Sequence, residues 1–235
     1  MDWVGPAVVA AAVSGIVSAV GFLVNRATTL ATHREKLQAD RDLAERKLAF
    51  DQGLSERKFI YDRDLNDHKR RVELAETVLA DFYQMSDVLQ AIRNPGSFSN
   101  EAEGRVAQPG ETEGQAQNRN TYYVPIARIR TNSDFISGMM SRRYRSRAIL
   151  SAEIDAAYQQ VHEVIVRVQV SAGTLIRMVD GYGEGRQRNE ALWERCEADI
   201  WMGYVEPDQL ADRMAQAVTA AESVCQRIIT GEAIA

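Results

Sequence analysis

Between Trp3 and Val24 the chain reads WVGPAVVAAAVSGIVSAVGFLV, 22 residues without a charge. At about 1.5 Å per residue, a helix of that length crosses the hydrocarbon core of a bilayer. In lipid, a lone span must satisfy every backbone polar group within itself, which leaves the α-helix as its only form. A signal peptide carries positive charge ahead of its apolar stretch, and here the side chain in that place is Asp2. The positive residues Arg26, Arg34, Lys36 and Arg41 come afterwards. That bias predicts a cell-membrane protein with one span, its N-terminus outside and the bulk of the chain cytoplasmic. A buried core helix is the alternative, and it is disfavoured because the run is apolar on every face.

Small residues recur every four positions in the span, as Ala10, Ser14 and Ser18 and as Ala11, Gly15 and Ala19. Such spacing lets helices approach closely in lipid, where packing drives association. Ser14, Gly15, Ser18 and Ala19 are therefore the expected membrane-packing residues. Pore lining by Ser14, Ser18 and Asn25 is a second reading of the same stretch.

Beyond the span the chain repeats itself every eleven residues. Lys36-Leu37-Gln38-Ala39-Asp40 returns as Lys47-Leu48-Ala49-Phe50-Asp51 and again as Lys58-Phe59-Ile60-Tyr61-Asp62, with a worn copy at Lys69 to Glu73. Eleven residues make three turns at about 3.67 residues per turn, which favours straight or slightly right-handed helix packing. One apolar seam runs through Ala39, Leu43, Phe50, Leu54, Tyr61, Leu65 and Val72. A second, formed by Leu37, Leu48 and Phe59, sits about 160° away around the axis. A helix with two opposed seams can touch two neighbours, so Leu37, Leu43, Leu48, Phe50, Leu54, Phe59, Tyr61 and Leu65 are the expected oligomer interface. A helix packed only within its own monomer, or one lying on the membrane surface, are the competing readings. The surface reading suffers because acids balance the bases around the helix.

The helical spacing continues through Val78, Phe82, Met85, Leu89 and Ile92 to a stop at Asn94-Pro95-Gly96. From Arg26 to Arg93 such a helix runs on the order of 100 Å. Residues 94–120 are polar and are expected to form a flexible loop. Further helical patterns cover Tyr122 to Leu150, Ser151 to Asp180, a shorter stretch through Trp193, Ile200 and Trp201, and a last helix started by Pro207 and closed by Gly231. No alternating β-branched run suggests a strand. The expected fold is all-α: a transmembrane anchor over 1–26, a helical stalk over 27–71 and a four- or five-helix bundle over 72–235.

Candidate chemistry is sparse. The net charge is -5 with a pI near 5.4, which argues against a general nucleic-acid partner. Cys196 and Cys225 are not spaced as a zinc motif and read as two free core thiols of a reducing compartment. His162-Glu163 lacks the second histidine of a metalloprotease helix, and Gly181 to Gly185 follows a helix rather than a strand. No metal, cofactor or catalytic residue is expected, and no enzymatic activity. One unusual cluster remains: Arg128, Arg130, Arg142, Arg143, Arg145 and Arg147 within twenty residues, with Tyr144 among them. Arginines so grouped can hold phosphate. They can equally pair with Glu184, Glu190, Glu194, Glu197 and Asp199 on a neighbouring helix.

Two functions follow as expectations. The first is a non-enzymatic, self-associating scaffold or barrel held at the membrane, with the bilayer and other copies of itself, in a ring-like assembly, as partners. The second is a membrane-tethered sensor whose bundle binds an anionic ligand through Arg128, Arg130, Arg142, Arg143, Tyr144 and Arg145.

Overall fold

A computed structural model of the protein describes residues 5–98, 100–179 and 189–231. Among them every regular element is a helix. The chain divides into two units, Met1–Asn66 and Asp67–Ala235, each described by itself. Trp3 at the start of the apolar run and the glycine-rich stretch at Gly181 to Gly185 lie outside the described residues.

The first unit is a single helix, the N-terminal part of α1 (Pro6–Ile92). Pro6 occupies its first position, where a missing N–H costs nothing. The helix is long and apolar enough to cross a membrane, and no part of its most apolar stretch is buried. Ser14, Gly15, Ser18 and Ala19 are all exposed, and nothing lies within 4 Å of the place a side chain would take at Gly15. Just past the apolar run, Thr28, Thr29 and Thr32 turn their hydroxyls back onto carbonyls three and four residues earlier. The helix continues without a break through Gly53, whose replacement of alanine costs about 1 kcal/mol of propensity.

In the second unit, helices pack around one hydrophobic core. The end of α1 contributes Val78, Phe82, Met85 and Ile92, all fully buried. Six helices follow: α2 (Glu113–Thr131), α3 (Ser133–Ser141), α4 (Arg143–Ile149), α5 (Ile154–Met178), α6 (Glu190–Ile200) and α7 (Gln209–Thr230). Helix α5 is central, packing against α2, α4, α6 and α7. It buries Ile154, Tyr158, Val161, Ile165, Val168, Ala172 and Leu175, the spacing read from the sequence. The Tyr158 ring meets Phe82 of α1 edge-on at 5.0 Å, and Tyr122 meets Trp193 in the same way at 5.6 Å.

Local chemistry explains where the helices stop. Asn94 accepts the Gly96 N–H at 2.8 Å, which closes the turn after α1. Asp208 caps α7 by accepting the N–H groups of Leu210 and Ala211, and Gly231 ends it in the left-handed conformation. The pattern from Tyr122 to Leu150 resolves into three helices, because the backbone leaves helical geometry at Asn132 and tightens again at Arg142. Residues 113–120, inside the stretch expected as loop, form the first turns of α2. The Thr112 side chain accepts from Gln115 N and the Gln115 side chain returns the bond to Thr112 N.

Both cysteines are buried and free. Burial pushes both thiols above the ordinary range, Cys225 to about 11.

Candidate self-association surface and the arginine cluster

The eleven-residue pattern places its apolar side chains on an uninterrupted helix in the first unit. Leu37, Leu43, Leu48, Phe50, Leu54, Phe59, Tyr61 and Leu65 are all exposed, between 39% and 70%. Isolated surface leucines need no explanation, but eight large apolar side chains in two lines over three repeats form a patch of the kind that partners cover. The charges between the lines are equally uncommitted. Among the described residues, Arg63 and Asp64 make the only ion pair of the repeat, at 3.1 Å.

The arginine cluster has a different character. Arg128 reaches the carbonyls at the end of α1, donating to Ala91 O at 2.9 Å, Asn94 O at 2.7 Å and Gly96 O, while Glu101 takes two further bonds at 2.8 and 2.9 Å. It thereby satisfies carbonyls a helix C-terminus leaves without partners and places positive charge at the negative end of the dipole. Arg130 donates to the Tyr123 hydroxyl and lies over that ring, 5.5 Å from its centre. Arg142 forms a bidentate pair with Asp81 of α1 at 2.7 and 2.9 Å. Arg143 forms another with Asp155 in the first turn of α5, at 2.7 and 3.0 Å, and adds Gln159. The Arg143 guanidinium holds the Asp155 carboxyl below its ordinary pKa. Arg147 approaches the same carboxylate at 3.9 Å. Tyr144 and Arg145 point outward, the tyrosine 75% exposed.

These partners differ from the expected ones. Glu197 accepts from Tyr122 and Tyr204, and Asp199 takes Arg167 and Ser171. Glu184 lies outside the described residues. The cluster therefore divides among Glu101, Tyr123, Asp81 and Asp155 rather than converging on one ligand-sized space. The expected result for Arg143→Ala is a small loss of thermal stability, about 1 kcal/mol for a partly exposed pair, and for Arg145→Ala none. Thermal unfolding of the two variants checks it.

Two polar knots had no signal in the spacing. Arg93, 1% exposed, donates to Asp199 O at 2.9 Å, Ala198 O at 2.8 Å and Asp208 Oδ1 at 2.9 Å. One guanidinium thus joins the end of α1, the last carbonyls of α6 and the cap of α7. In the segment before α2, the Glu111 side chain, 4% exposed, lies between Arg105 and Arg119 and also accepts the Gln108 N–H. The Arg105 hydrogen bond is the chief reason its carboxyl is held down to about 2. The only hint of Arg93 was a lone arginine at the end of an apolar helix face.

A cleft of about 580 Å³ runs along α5 and α6, floored by Val166, Val170 and Leu192 and edged by Arg167, Arg195 and Arg213. Arg167 and Arg213 are held by Asp199 and Glu163. Among the described residues no group of histidine, cysteine and carboxylate side chains is placed to hold a metal ion. No protein-family model, no curated protein and no solved structure matches the chain.

Proposed function

We propose that this protein is a non-enzymatic, membrane-anchored scaffold that assembles with copies of itself. The apolar run at the start of α1 is the anchor, the eleven-residue repeat is the stalk through which copies meet, and the C-terminal helical bundle is displayed on the cytoplasmic side. The observation that carries this reading is the exposure of both apolar lines of the repeat along an unbroken helix. An exposed apolar surface of that extent is stabilised by association, at roughly 25 cal/mol for each Å² removed from water. The small-residue positions Ser14, Gly15, Ser18 and Ala19 support the same conclusion inside the bilayer.

The sensor reading receives less support, because Arg128, Arg130, Arg142 and Arg143 already have internal partners.

The test is the mass of the full-length protein in a mild detergent, with a reporter after Ala235 to fix the topology. The expected result is a particle of many chains and a cytoplasmic reporter. A monomer across the accessible concentration range would remove the scaffold proposal, and an external reporter would reverse the orientation.

A further inference from the structure

We infer that copies of this chain pack through unlike faces, the broad apolar line of one stalk against the narrow line of the next, and that the charges beside those lines enforce the choice. The inference rests on the self-association reading and specifies its partner surface.

The charges follow the repeat as strictly as the apolar residues do. At about 98° per residue, the spacing an eleven-residue period over three turns imposes, each repeat position keeps a fixed direction along the helix. The broad line holds Leu43, Phe50, Leu54 and Tyr61. On one side it is bordered by Lys36, Lys47 and Lys58, with Asp40, Asp51 and Asp62 beyond them. On the other it is bordered by Arg46 and Arg57. The narrow line holds Leu37, Leu48 and Phe59 beside the small residues Ala44 and Ser55. On its Ala44 side the next charges are again Asp40, Asp51 and Asp62. On its other side come Arg41 and Arg63, then Glu45 and Glu56. All these positions lie on the continuous α1 helix. Among the described residues, only Arg63 of these charges has an ion-pair partner.

Anchored copies insert the same way, so their stalks run parallel. When two parallel helices face each other, the clockwise edge of one contact line runs along the anticlockwise edge of the other. Broad on narrow brings the lysine edge of one copy along the aspartate edge of its neighbour. On the other edge Arg46 and Arg57 meet a mixed row, the neighbour's Arg41 and Arg63 nearest the line and Glu45 and Glu56 beyond them. In register, Lys47 and a neighbour's Asp51 are offset by roughly 6 Å along the axis and Arg57 and Glu56 by roughly 1.5 Å, both within side-chain reach. Broad on broad instead sets the lysine edge against the arginine edge, which is repulsive. Narrow on narrow sets a mixed edge, Arg41 and Arg63 with Glu45 and Glu56 beyond, against the aspartates and leaves Phe50, Leu54 and Tyr61 uncovered, so the unlike pairing alone covers both lines without opposing like charges along the lysine edge. Leu43 and Leu54, on the lysine side of the broad line, then meet the side of the narrow line that carries Ala44 and Ser55.

An unlike-face contact repeats from copy to copy and must close into a ring or run on. Measured from the centre of the broad line, the two lines point about 150° apart, an angle that closes after on the order of a dozen copies. Dimers, trimers and tetramers would need much smaller angles.

Charge exchange tests the pairing. The full-length protein carrying Lys47→Glu and Lys58→Glu, and a second form carrying Asp51→Lys and Asp62→Lys, are each measured in mild detergent at low ionic strength, where charges are least screened. The expected result is that each form alone falls from about a dozen chains to one or two, and that co-expressing the two, or combining all four changes in one chain, restores the mass. Broad-on-broad packing gives the opposite sign, since Lys→Glu would set glutamate against Arg46 and Arg57 and raise the mass. That result overturns the inference, as does a wild-type particle of two to four chains. Unchanged mass in every charge variant also overturns it. Leu54→Glu measured beside them separates the two levels: if it still dissociates the particle, self-association stands and only the pairing rule is lost. If it does not, the scaffold reading falls as well.

Discussion

Leu54→Glu is expected to reduce the detergent-solubilised particle to one or two chains, and Leu48→Glu to do the same. Both leucines are more than half exposed in the chain. Neither change therefore opens a cavity in the fold, and both variants should keep the wild-type helix content. In an assembly each leucine is buried against a neighbour, where a full leucine side chain contributes about 1.5–3 kcal/mol. Glutamate forfeits that term and adds the cost of desolvating a charge without a partner. The change acts at every contact of the assembly, so a penalty of several kcal/mol per contact lowers each association step by a factor of 100 or more. Mass measurement against protein concentration reads this directly. If only Leu54→Glu acts, the second line is not an interface.

Arg93→Ala is expected to be the most damaging single change in the C-terminal unit. The side chain is buried, and its partners are two α6 carbonyls and the residue that caps α7. Removing it takes that donor from the two α6 carbonyls and strips the Asp208 carboxylate of its counter-ion. Breaking a buried pair from one side typically costs about 3–5 kcal/mol. For a unit of this size that corresponds to a fall in Tm of about 10 °C. Asp208→Asn makes the comparison specific. Asparagine still accepts the Leu210 and Ala211 N–H groups, and Arg93 keeps its carbonyls, so the loss should be clearly smaller. Equal losses in the two variants would show that the ion pair, rather than the carbonyl contacts, carries the effect.

The long helix was legible because its signal is periodic. The repeat, the apolar face from Val78 to Ile92 and the stop at Asn94-Pro95-Gly96 each depend on neighbours along the chain. The last helix was legible for the same reason, its end marked by Gly231; Pro207, read as its start, lies just before the Asp208 cap, and the helix begins at Gln209. The arginine partners were not. Arg142 meets Asp81, 61 residues away, and an arginine's spacing says nothing about which distant carboxylate the packing brings to it. The stretch 94–120 read as loop because its composition is polar. Its anchors, the Thr112 cap and Glu111 held between two arginines, are single residues that composition averages away. The breaks at Asn132 and Arg142 take one residue each: Asn132 lies in the polar run Thr131-Asn132-Ser133-Asp134 and donates its side-chain amide to Arg128 O, while Arg142 keeps right-handed helical angles.

The buried state of Cys196 and Cys225 has a practical corollary for all of these measurements. A thiol reagent attacks the thiolate, and burial raises both thiols, Cys225 to about 11, which lowers the thiolate share of each at neutral pH. The two native cysteines are therefore expected to react slowly while the C-terminal unit is folded and faster when it opens. A cysteine placed in the stalk or near the membrane can be labelled without first removing them. The slow labelling of the native pair then becomes an internal clock for opening of the core, read in the same sample and the same detergent as the assembly itself.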